Sequence, residues 1–321
     1  MRIHFSNQGN LRYFAHFAEQ MTFDHPETLE ITVDKRWVNV HPAHLTLAAA
    51  IAREVGKENT KIISEVPESA RYIDRMGFYA LANTPSPFSE YMHKDPSGRF
   101  IPLTFIKTTA DQSKFISEMI PLLHLDDNDS STFKYVIGEL VRNVLEHSYA
   151  KNGAVVSAQY YKNANRISLA ICDTGIGLWK GLQIWHPKTD EEAIRLALMP
   201  GISGTTRKEG GTSENAGAGL FFIKSIAKTA RNNFVVYSGD TAYILKKTRS
   251  DQKKPILKAD PFEDACVRKT GLARFNGTLV AVDISLDATV EFRQMLDLIG
   301  DVYEDAIRER KEQKFRKPNF I

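Results

Sequence analysis

One amphipathic segment with a polar edge, near the middle of the chain, limits most strongly what this sequence can fold into. Apolar residues recur in it at helical spacing: Phe133, Val136, Ile137, Leu140, Val141, Val144 and Leu145. This spacing predicts a helix with one buried face, and Asp129-Ser130-Ser131 is its candidate N-terminal cap. Glu139, Asn143 and His147 form a ridge on the flank of that face. Arg142 is expected to point away from the ridge. Such a ridge is either an ordinary helix flank or the wall of a cleft.

A strand that ends in an acidic, glycine-containing turn follows this helix. Residues 154–161 and 166–172 have strand patterns, and Lys162-Asn163-Ala164-Asn165 between them is typical of a hairpin connection. The second strand continues into Asp173-Thr174-Gly175-Ile176-Gly177. Glycines let the backbone approach a flat ligand while the carboxylate accepts a hydrogen bond, for example from the amine of adenine. A tight turn without a ligand is the alternative interpretation of this short pattern.

Farther along the chain, a glycine-rich segment leads into another helix. Residues 201–211 are polar, rich in glycine and without periodicity, which is typical of a mobile lid. Asn215-Ala216-Gly217-Ala218-Gly219-Leu220 follows, and then a helical pattern over 221–230. Glycines that open a helix expose N–H groups at the positive end of its dipole, where phosphates bind. The same arrangement also occurs where a helix packs closely on its neighbours.

The order of these elements resembles the GHKL ATPase superfamily, which includes type II topoisomerase ATPase domains, heat-shock chaperones, histidine kinases and anti-sigma-factor serine kinases. The segment 139–147 is similar to the family's N box, 173–177 to its G1 box and 217–220 to its G2 box. Asn276-Gly277-Thr278 and the strand after it resemble the family's last Gly-Thr strand. The resemblance covers residues 125–287. It implies a two-layer α/β sandwich of the Bergerat type, with one mixed sheet layered against helices.

The resemblance also implies an ATP and Mg²⁺ site with a role for each matched residue. Asn143 would coordinate Mg²⁺ between the phosphates, and a hydrated Mg²⁺ with few protein ligands fits such a site. Asp173 would bind the adenine amine, with Thr278 near the adenine. Glu139 would be the catalytic residue that orients or deprotonates the nucleophile, a water or a protein hydroxyl. The other nucleotide-binding positions would be Gly175, Gly177, Gly217, Gly219 and Leu220.

Two features depart from the family pattern. Asn215 stands where many relatives have the first glycine of the G2 box. Between residue 245 and Thr278 lies a long polar insertion with a basic part at 246–258. Such a composition favours a solvated loop, and binding of a partner or a polyanion is the alternative.

Residues 1–90 predict a small α/β unit, because short strand patterns alternate with helical ones. Trp37 to Val40 has the pattern of a strand, and Ala43 to Val55 that of a helix which stops near Gly56. The segment from Trp37 to Pro42 and the segment 71–78 resemble a STAS-like domain, the fold of anti-sigma-factor antagonists. Those antagonists carry a phosphorylated Ser or Thr where this chain has His41-Pro42-Ala43-His44.

The remaining patterns divide the chain into further parts. Residues 91–124 are expected to be a connection with a strand at 100–106 and a helix capped by Asp111. Residues 125–287 are the expected GHKL ATP-binding domain, and 288–321 a C-terminal helix and charged tail. A stripe on that helix would either pack on its own domain or pair two chains in a homodimer: Phe292, Met295, Leu296, Ile299, Val302, Tyr303 and Ala306.

Composition and charge exclude several classes of protein. Hydrophobic residues make up 42% and charged residues 25%, which excludes wholesale disorder. A net charge of +3 is too balanced to indicate a nucleic-acid partner or a membrane surface. Two cysteines build neither a disulfide framework nor a four-cysteine zinc site. The longest apolar stretch, Leu45 to Ala52, is far too short to span a membrane. We therefore expect a cytoplasmic protein.

Taken together, the patterns predict a Mg·ATP-binding ATPase or serine/threonine protein kinase in signalling, near the anti-sigma-factor kinases, with a protein partner. The alternative is a switch without turnover, in which ATP closes the lid and changes contacts to the partner. A histidine kinase is disfavoured, because no histidine before Glu139 stands in the expected acidic context on a long helix.

Overall fold

A computed structural model describes most of the chain. It covers residues 1–23, 27–63, 65–81, 84–88, 99–119, 127–204, 219–247, 256–285 and 292–315. Within these ranges the strands form two sheets, which we call the smaller and the larger sheet, with helices packed around them. The fold is therefore mixed α/β.

The first part of the chain builds the smaller sheet. Its elements are β1 (Arg2–Phe5), α1 (Phe14–Glu19), β2 (Leu29–Val33), α2 (Pro42–Val55), β3 (Thr60–Ile62), α3 (Arg71–Arg75) and α4 (Phe78–Leu81). In the described residues this sheet has the order β1-β2-β3, and its strands are parallel. The strand predicted at Trp37 to Val40 is wrong. The N–H of Val38 donates to Ser69 Oγ at 2.9 Å and that of Asn39 to the Ser6 carbonyl at 3.2 Å, so loop partners replace a strand ladder.

The helix predicted at 43–55 is confirmed as α2. Its start is fixed by His41, whose Nδ1 accepts the N–H of Ala43 at 3.0 Å, and by Pro42 in the first helical position. It ends at Gly56, which has a φ of 89°. Nearly every residue from Pro42 to Ala52 is buried. A helix that is buried all round must be covered on more than one side.

The rest of the described chain builds the larger sheet and its helices. The strands are β4 (Phe100–Ile106), β5 (Ala154–Tyr161), β6 (Arg166–Asp173), β7 (Phe234–Gly239), β8 (Thr241–Leu245), β9 (Cys266–Lys269) and β10 (Phe275–Ser285). The helices are α5 (Thr109–Lys114), α6 (Asp127–His147), α7 (Gly177–Gly181), α8 (Asp190–Ala197), α9 (Gly219–Thr229) and α10 (Phe292–Phe315). The strand order in the described residues is β4-β5-β6-β10-β7-β8-β9.

Neighbouring strands of the larger sheet are antiparallel in every described pair, whereas a mixed sheet was expected. Two predicted helix starts also differ from the structure. The cap of α5 is Thr108, and Asp111 closes a capping box as its third residue. Helix α6 already begins at Asp127, before the predicted cap at Asp129.

Alternate residues of the larger sheet face two different hydrophobic cores. On β6, Ala170 and Cys172 face the core that contains α2 and the smaller sheet. Leu169 and Ile171 face the core that contains α6 and α9. The period of two residues in a strand explains this division. The sheet is therefore covered on both faces, and α2 adds a third layer to the sandwich that was expected to have two.

The predicted domain boundaries run through this shared core. The predicted connection at 91–124 supplies β4, which pairs with β5 at one edge of the larger sheet. The predicted unit at 1–90 packs on β5 and β6 through α2. Division of the chain into separate domains at these boundaries stays a prediction.

The described part of the C-terminal stripe packs on the same chain. Ile299 is fully buried, and the Tyr303 ring lies 6.1 Å from that of Phe221 and 5.8 Å from that of Phe222 on α9. These contacts bury apolar surface that was one candidate for a dimer interface. Among the described residues, no helix has both the length and the apolar character needed to cross a bilayer.

Candidate functional site

A cavity of about 360 Å³ opens between α6, α7 and α9, above the ends of β6 and β10. We call it the central cavity. Most of the predicted site residues line it, although they come from distant parts of the sequence: Glu139, Asn143, Asp173, Gly177, Gly219, Leu220 and Thr278. His147, on the predicted ridge of α6, also lines it. Gly217 lies outside the described residues. The ridge on α6 is thus part of the wall of a cleft.

Asp173 is the most deeply buried polar group of the central cavity. It is the last residue of β6, only 3% exposed, and lies opposite Thr278 in the strand register. The N–H of Gly175 donates to its Oδ1 at 2.8 Å, and the backbone of Thr278 also donates to it. Burial nevertheless raises the pKa of Asp173 to about 7, because two N–H groups replace only part of the lost hydration. A ligand that donates a hydrogen bond would stabilise the ionised carboxylate.

The turn after Asp173 lies directly against the end of α6. A Cβ on Gly175 would be 2.0 Å from the carbonyl oxygen of Ser148, so a side chain does not fit there. The N–H of Ile176 donates to the same carbonyl at 2.8 Å. Gly175 does not line the cavity itself, but it allows the contact that fixes Asp173 beside α6.

Glu139 and Arg142 form an ion pair at the mouth of the central cavity. The prediction that Arg142 points away from the ridge is wrong, since it also lines the cavity. Its long side chain reaches back over the turn to Glu139, as residues three apart on a helix can. That spacing was the signal in the sequence that could have found this contact.

The start of α9 approaches Glu139 and Asn143 closely. A Cβ on Gly219 would lie 2.9 Å from Glu139 Oε2 and 3.3 Å from Asn143 Nδ2. Glycine therefore permits the approach of the two helices. The first N–H groups of α9, which have no partner within the helix, face this end of the cavity and can receive an anion.

The residues present can hold Mg²⁺ only together with a ligand. In the described part of the chain, no three His, Cys, Asp or Glu side chains form a group that could bind a metal ion. The amide of Asn143 lines the cavity beside Glu139. Mg²⁺ usually has one or two protein ligands and takes the rest from water and phosphate oxygens. The donor set fits a metal that arrives with a phosphate ligand.

The apolar walls of the central cavity were not predicted from the sequence. Leu178 on α7, Leu182 directly after it, Ile202 and the aromatic Tyr135 line it. The N–H of Leu178 donates to Ser238 Oγ at 3.0 Å, which anchors α7 to the sheet. Because α7 is a single short helix after the acidic turn, no periodic pattern marked these residues. Apolar walls of this kind suit a flat ring.

A residue of the first part of the chain also contacts the acidic turn. Glu54, near the end of α2, accepts hydrogen bonds from Thr174 Oγ1 at 3.0 Å and from Asn152 Nδ2 at 2.9 Å. Thr174 follows Asp173 directly. The layer formed by α2 therefore contacts the loop that positions the buried carboxyl group.

Comparison of this chain with models of known protein families and with curated proteins found no match. The geometry of the central cavity is therefore the basis for assigning a function.

Proposed function

We propose that the chain binds Mg·ATP in the central cavity as a GHKL-type protein, and that its first part is a STAS-like unit. The observation that carries the proposal is Asp173, a buried carboxyl group that faces the cavity and whose donors among the described residues are backbone N–H groups. Ionisation of such a buried group costs free energy unless a further donor forms a hydrogen bond with it. The exocyclic amine of adenine supplies one, and the adjacent apolar wall accommodates the ring.

The phosphates would lie at the other end of the cavity, near α9. There the N–H groups of Gly219 and Leu220, in the first turn of an 11-residue helix, offer donors at the positive end of its dipole. Asn143 would supply the protein ligand to Mg²⁺, which neutralises phosphate charge when bound. The volume of about 360 Å³ lies within the range of small-molecule sites.

Glu139 is the residue that would act on the nucleophile. It lies beside Gly219 at the phosphate end, and its carboxylate is held by Arg142. A carboxylate at this place can orient or deprotonate a water, in an ATPase, or a protein hydroxyl, in a serine/threonine kinase. A serine/threonine kinase activity requires a protein partner that supplies this hydroxyl.

A switch without turnover is the second candidate function. The observation that favours it is the contact of Glu54 on α2 with Thr174 in the acidic turn. Movement of this turn on nucleotide binding would reach α2 and the smaller sheet directly, and so change a surface for a protein partner.

Calorimetric titration of Mg·ATP into the wild type and the variant Asp173→Asn tests the proposal. The variant should bind about 100-fold more weakly, because an amide cannot serve as the charged acceptor. Asp34→Asn, at a half-buried carboxylate that accepts the N–H of Asn7 and lies far from the central cavity, is the matched control and should bind like the wild type. Equal affinity of the wild type and Asp173→Asn would reject the site.

Incubation with γ-labelled ATP, with and without candidate partner proteins, separates the activities. Label on a protein indicates a kinase and released phosphate indicates an ATPase. Binding without either product indicates the switch.

A further inference from the structure

A second pocket, with a basic lining, lies at the hairpin end of the larger sheet. Arg75 at the end of α3, Arg99 before β4 and Lys162 in the β5–β6 turn surround a volume of about 460 Å³. We call it the basic pocket. It lies at the opposite end of β6 from Asp173, roughly 25 Å away for a strand of this length. It is therefore separate from the central cavity and has no part in the proposed nucleotide site.

The charges of the basic pocket have one sign. Among the described residues that line it there is no carboxylate. Within the same part of the structure, none of Arg75, Arg99 and Lys162 makes an ion pair. Three cations around one concave surface repel one another, and an anion would remove this cost.

Polar atoms in or beside this pocket are buried and have no hydrogen-bond partner among the described residues. They include Nε of Arg75 and the hydroxyl of Tyr72, whose ring lies 5.4 Å from the Arg75 guanidinium. Burial raises the pKa of Tyr72 well above its usual range, so its hydroxyl stays protonated and can donate. Buried donors without partners are rare, and each costs free energy unless a ligand pairs with it.

The guanidinium of Arg75 and the backbone at Arg99 are held in place before any ligand binds. The Arg75 guanidinium lies 5.1 Å from the centre of the Phe100 ring. Gln159 donates from Nε2 to the carbonyls of Arg99 and Tyr160, both at 3.0 Å, which fixes the backbone at Arg99. Fixed guanidinium groups lose little entropy when they bind a planar or tetrahedral oxyanion.

We propose that the basic pocket binds a phosphoryl group carried on a protein side chain. Arginine clusters with additional hydroxyl donors match the oxygens of a phosphate monoester. A phosphate ion alone fills only a small part of the pocket volume of about 460 Å³, whereas a phosphorylated peptide also occupies the space beside its phosphate. This argument favours the protein-borne group.

The test is a titration of the full chain with a short phosphoserine peptide, the same peptide without phosphate, and inorganic phosphate. The phosphopeptide should bind at least about tenfold more tightly than either of the others. Arg99→Gln and Lys162→Gln, at exposed positions that a folded chain tolerates, should each weaken its binding about fivefold. Arg36→Gln, at an exposed arginine outside the pocket, is the matched control and should have no effect.

Each outcome decides the proposal. Equal binding of the two peptides, or pocket variants that behave like Arg36→Gln, would overturn it. If inorganic phosphate binds as tightly as the phosphopeptide and the same variants weaken its binding, the pocket is a site for free anions. That result would overturn the proposal that the phosphoryl group is carried on a protein. Titration of Mg·ATP into the pocket variants should give wild-type affinity, so a failure of the nucleotide proposal is distinguishable from a failure of this one.

Discussion

Each face of the larger sheet buries an aspartate, and the two aspartates differ in their partners. On the face that α2 covers, Thr46 and Ser157 share a hydrogen bond of 2.8 Å, and His41 Nε2 lies 3.2 Å from Asp283 Oδ1. On the face of α6 and α9, Asp173 faces the central cavity. Asp283 is thus paired with other side chains, whereas Asp173 lies beside a cavity.

The pKa values of the two buried aspartates, Asp283 and Asp173, are shifted in opposite directions. Burial acts to raise the pKa of Asp283, but His41, Arg166 and Ser168 outweigh it and lower this pKa below its usual value. Burial raises the pKa of Asp173 to about 7, because among the described residues only backbone N–H groups oppose it. Burial alone therefore does not distinguish a structural carboxylate from one that is available to a ligand. The hydrogen-bond partners of the carboxylate distinguish the two.

The largest effect is expected on the ligand face, at Glu139. The variant Glu139→Gln keeps the shape but not the charge, and should lose about 1,000-fold in ATP turnover while Mg·ATP binds within a few-fold of the wild type. Single-turnover assays and calorimetry measure the two quantities. Glu146→Gln, at an exposed position on the same helix, is the control. Unchanged turnover in Glu139→Gln would exclude this carboxylate from the chemistry.

Removal of the charge of Asp283 should act on stability alone. Asp283→Asn leaves His41 and Arg166 without their buried carboxylate, and we expect a loss of about 3 kcal/mol in the free energy of unfolding at neutral pH. Urea denaturation measures it. The difference from the wild type should shrink as the pH falls through the lowered pKa of Asp283. Weaker Mg·ATP binding by the folded variant would contradict the separation of the two faces.

The pKa of Asp173 predicts a pH dependence of nucleotide affinity. An adenine amine needs the ionised carboxylate, and the free protein protonates it below pH 7. Affinity should therefore fall about tenfold per pH unit from about 7 to 5 and be constant above 8. Adenosine, which has no phosphate to titrate, is the control ligand and should show the same slope. A flat profile for both ligands would contradict the proposed contact.

The same pKa has a consequence for the unliganded protein. Its folded value lies above the unfolded one, so Asp173 makes its largest contribution to stability at low pH and loses it as the pH rises from about 4 to 7.

The smallest effect is expected at Glu54, which connects α2 to the turn after Asp173 by a hydrogen bond. Glu54→Gln weakens the acceptor of Thr174 and Asn152, and should lower Mg·ATP affinity about two- to fivefold through a less ordered turn. Calorimetry detects this change. Glu58→Gln, just beyond α2 and exposed, should have no effect. Equal effects of the two substitutions would mean that Glu54 acts only through general charge.

Local patterns in the sequence predicted the elements of the central cavity well. The helical period of α6 and the strand patterns of β4, β5 and β6 gave these elements within a few residues, because their periods depend on neighbours along the chain. The resemblance to the GHKL superfamily, rather than these local patterns, placed Glu139, Asn143 and Asp173 at one predicted site, and all three line the central cavity. The turn after Asp173 could be predicted because Asp followed by glycines at the end of a strand is typical of a tight turn.

Contacts between distant segments could not be predicted in this way. Thr174 and Glu54 are 120 residues apart, and Asp283 and His41 are 242 apart. The third layer formed by α2 depends on such contacts, and so does the loop at Trp37 that replaced a strand. Periodicity shows that a helix face is apolar but not which surface covers it.

Because both faces of the larger sheet are covered, we expect this packing to affect how the protein unfolds. Val155, Ala170 and Leu279 fill a core shared with α2, so we expect α2 and the larger sheet to lose their packing together. A ligand that binds only the folded form under α6 must then slow proteolytic cleavage of the β1–β2 segment as well, although it touches no atom there.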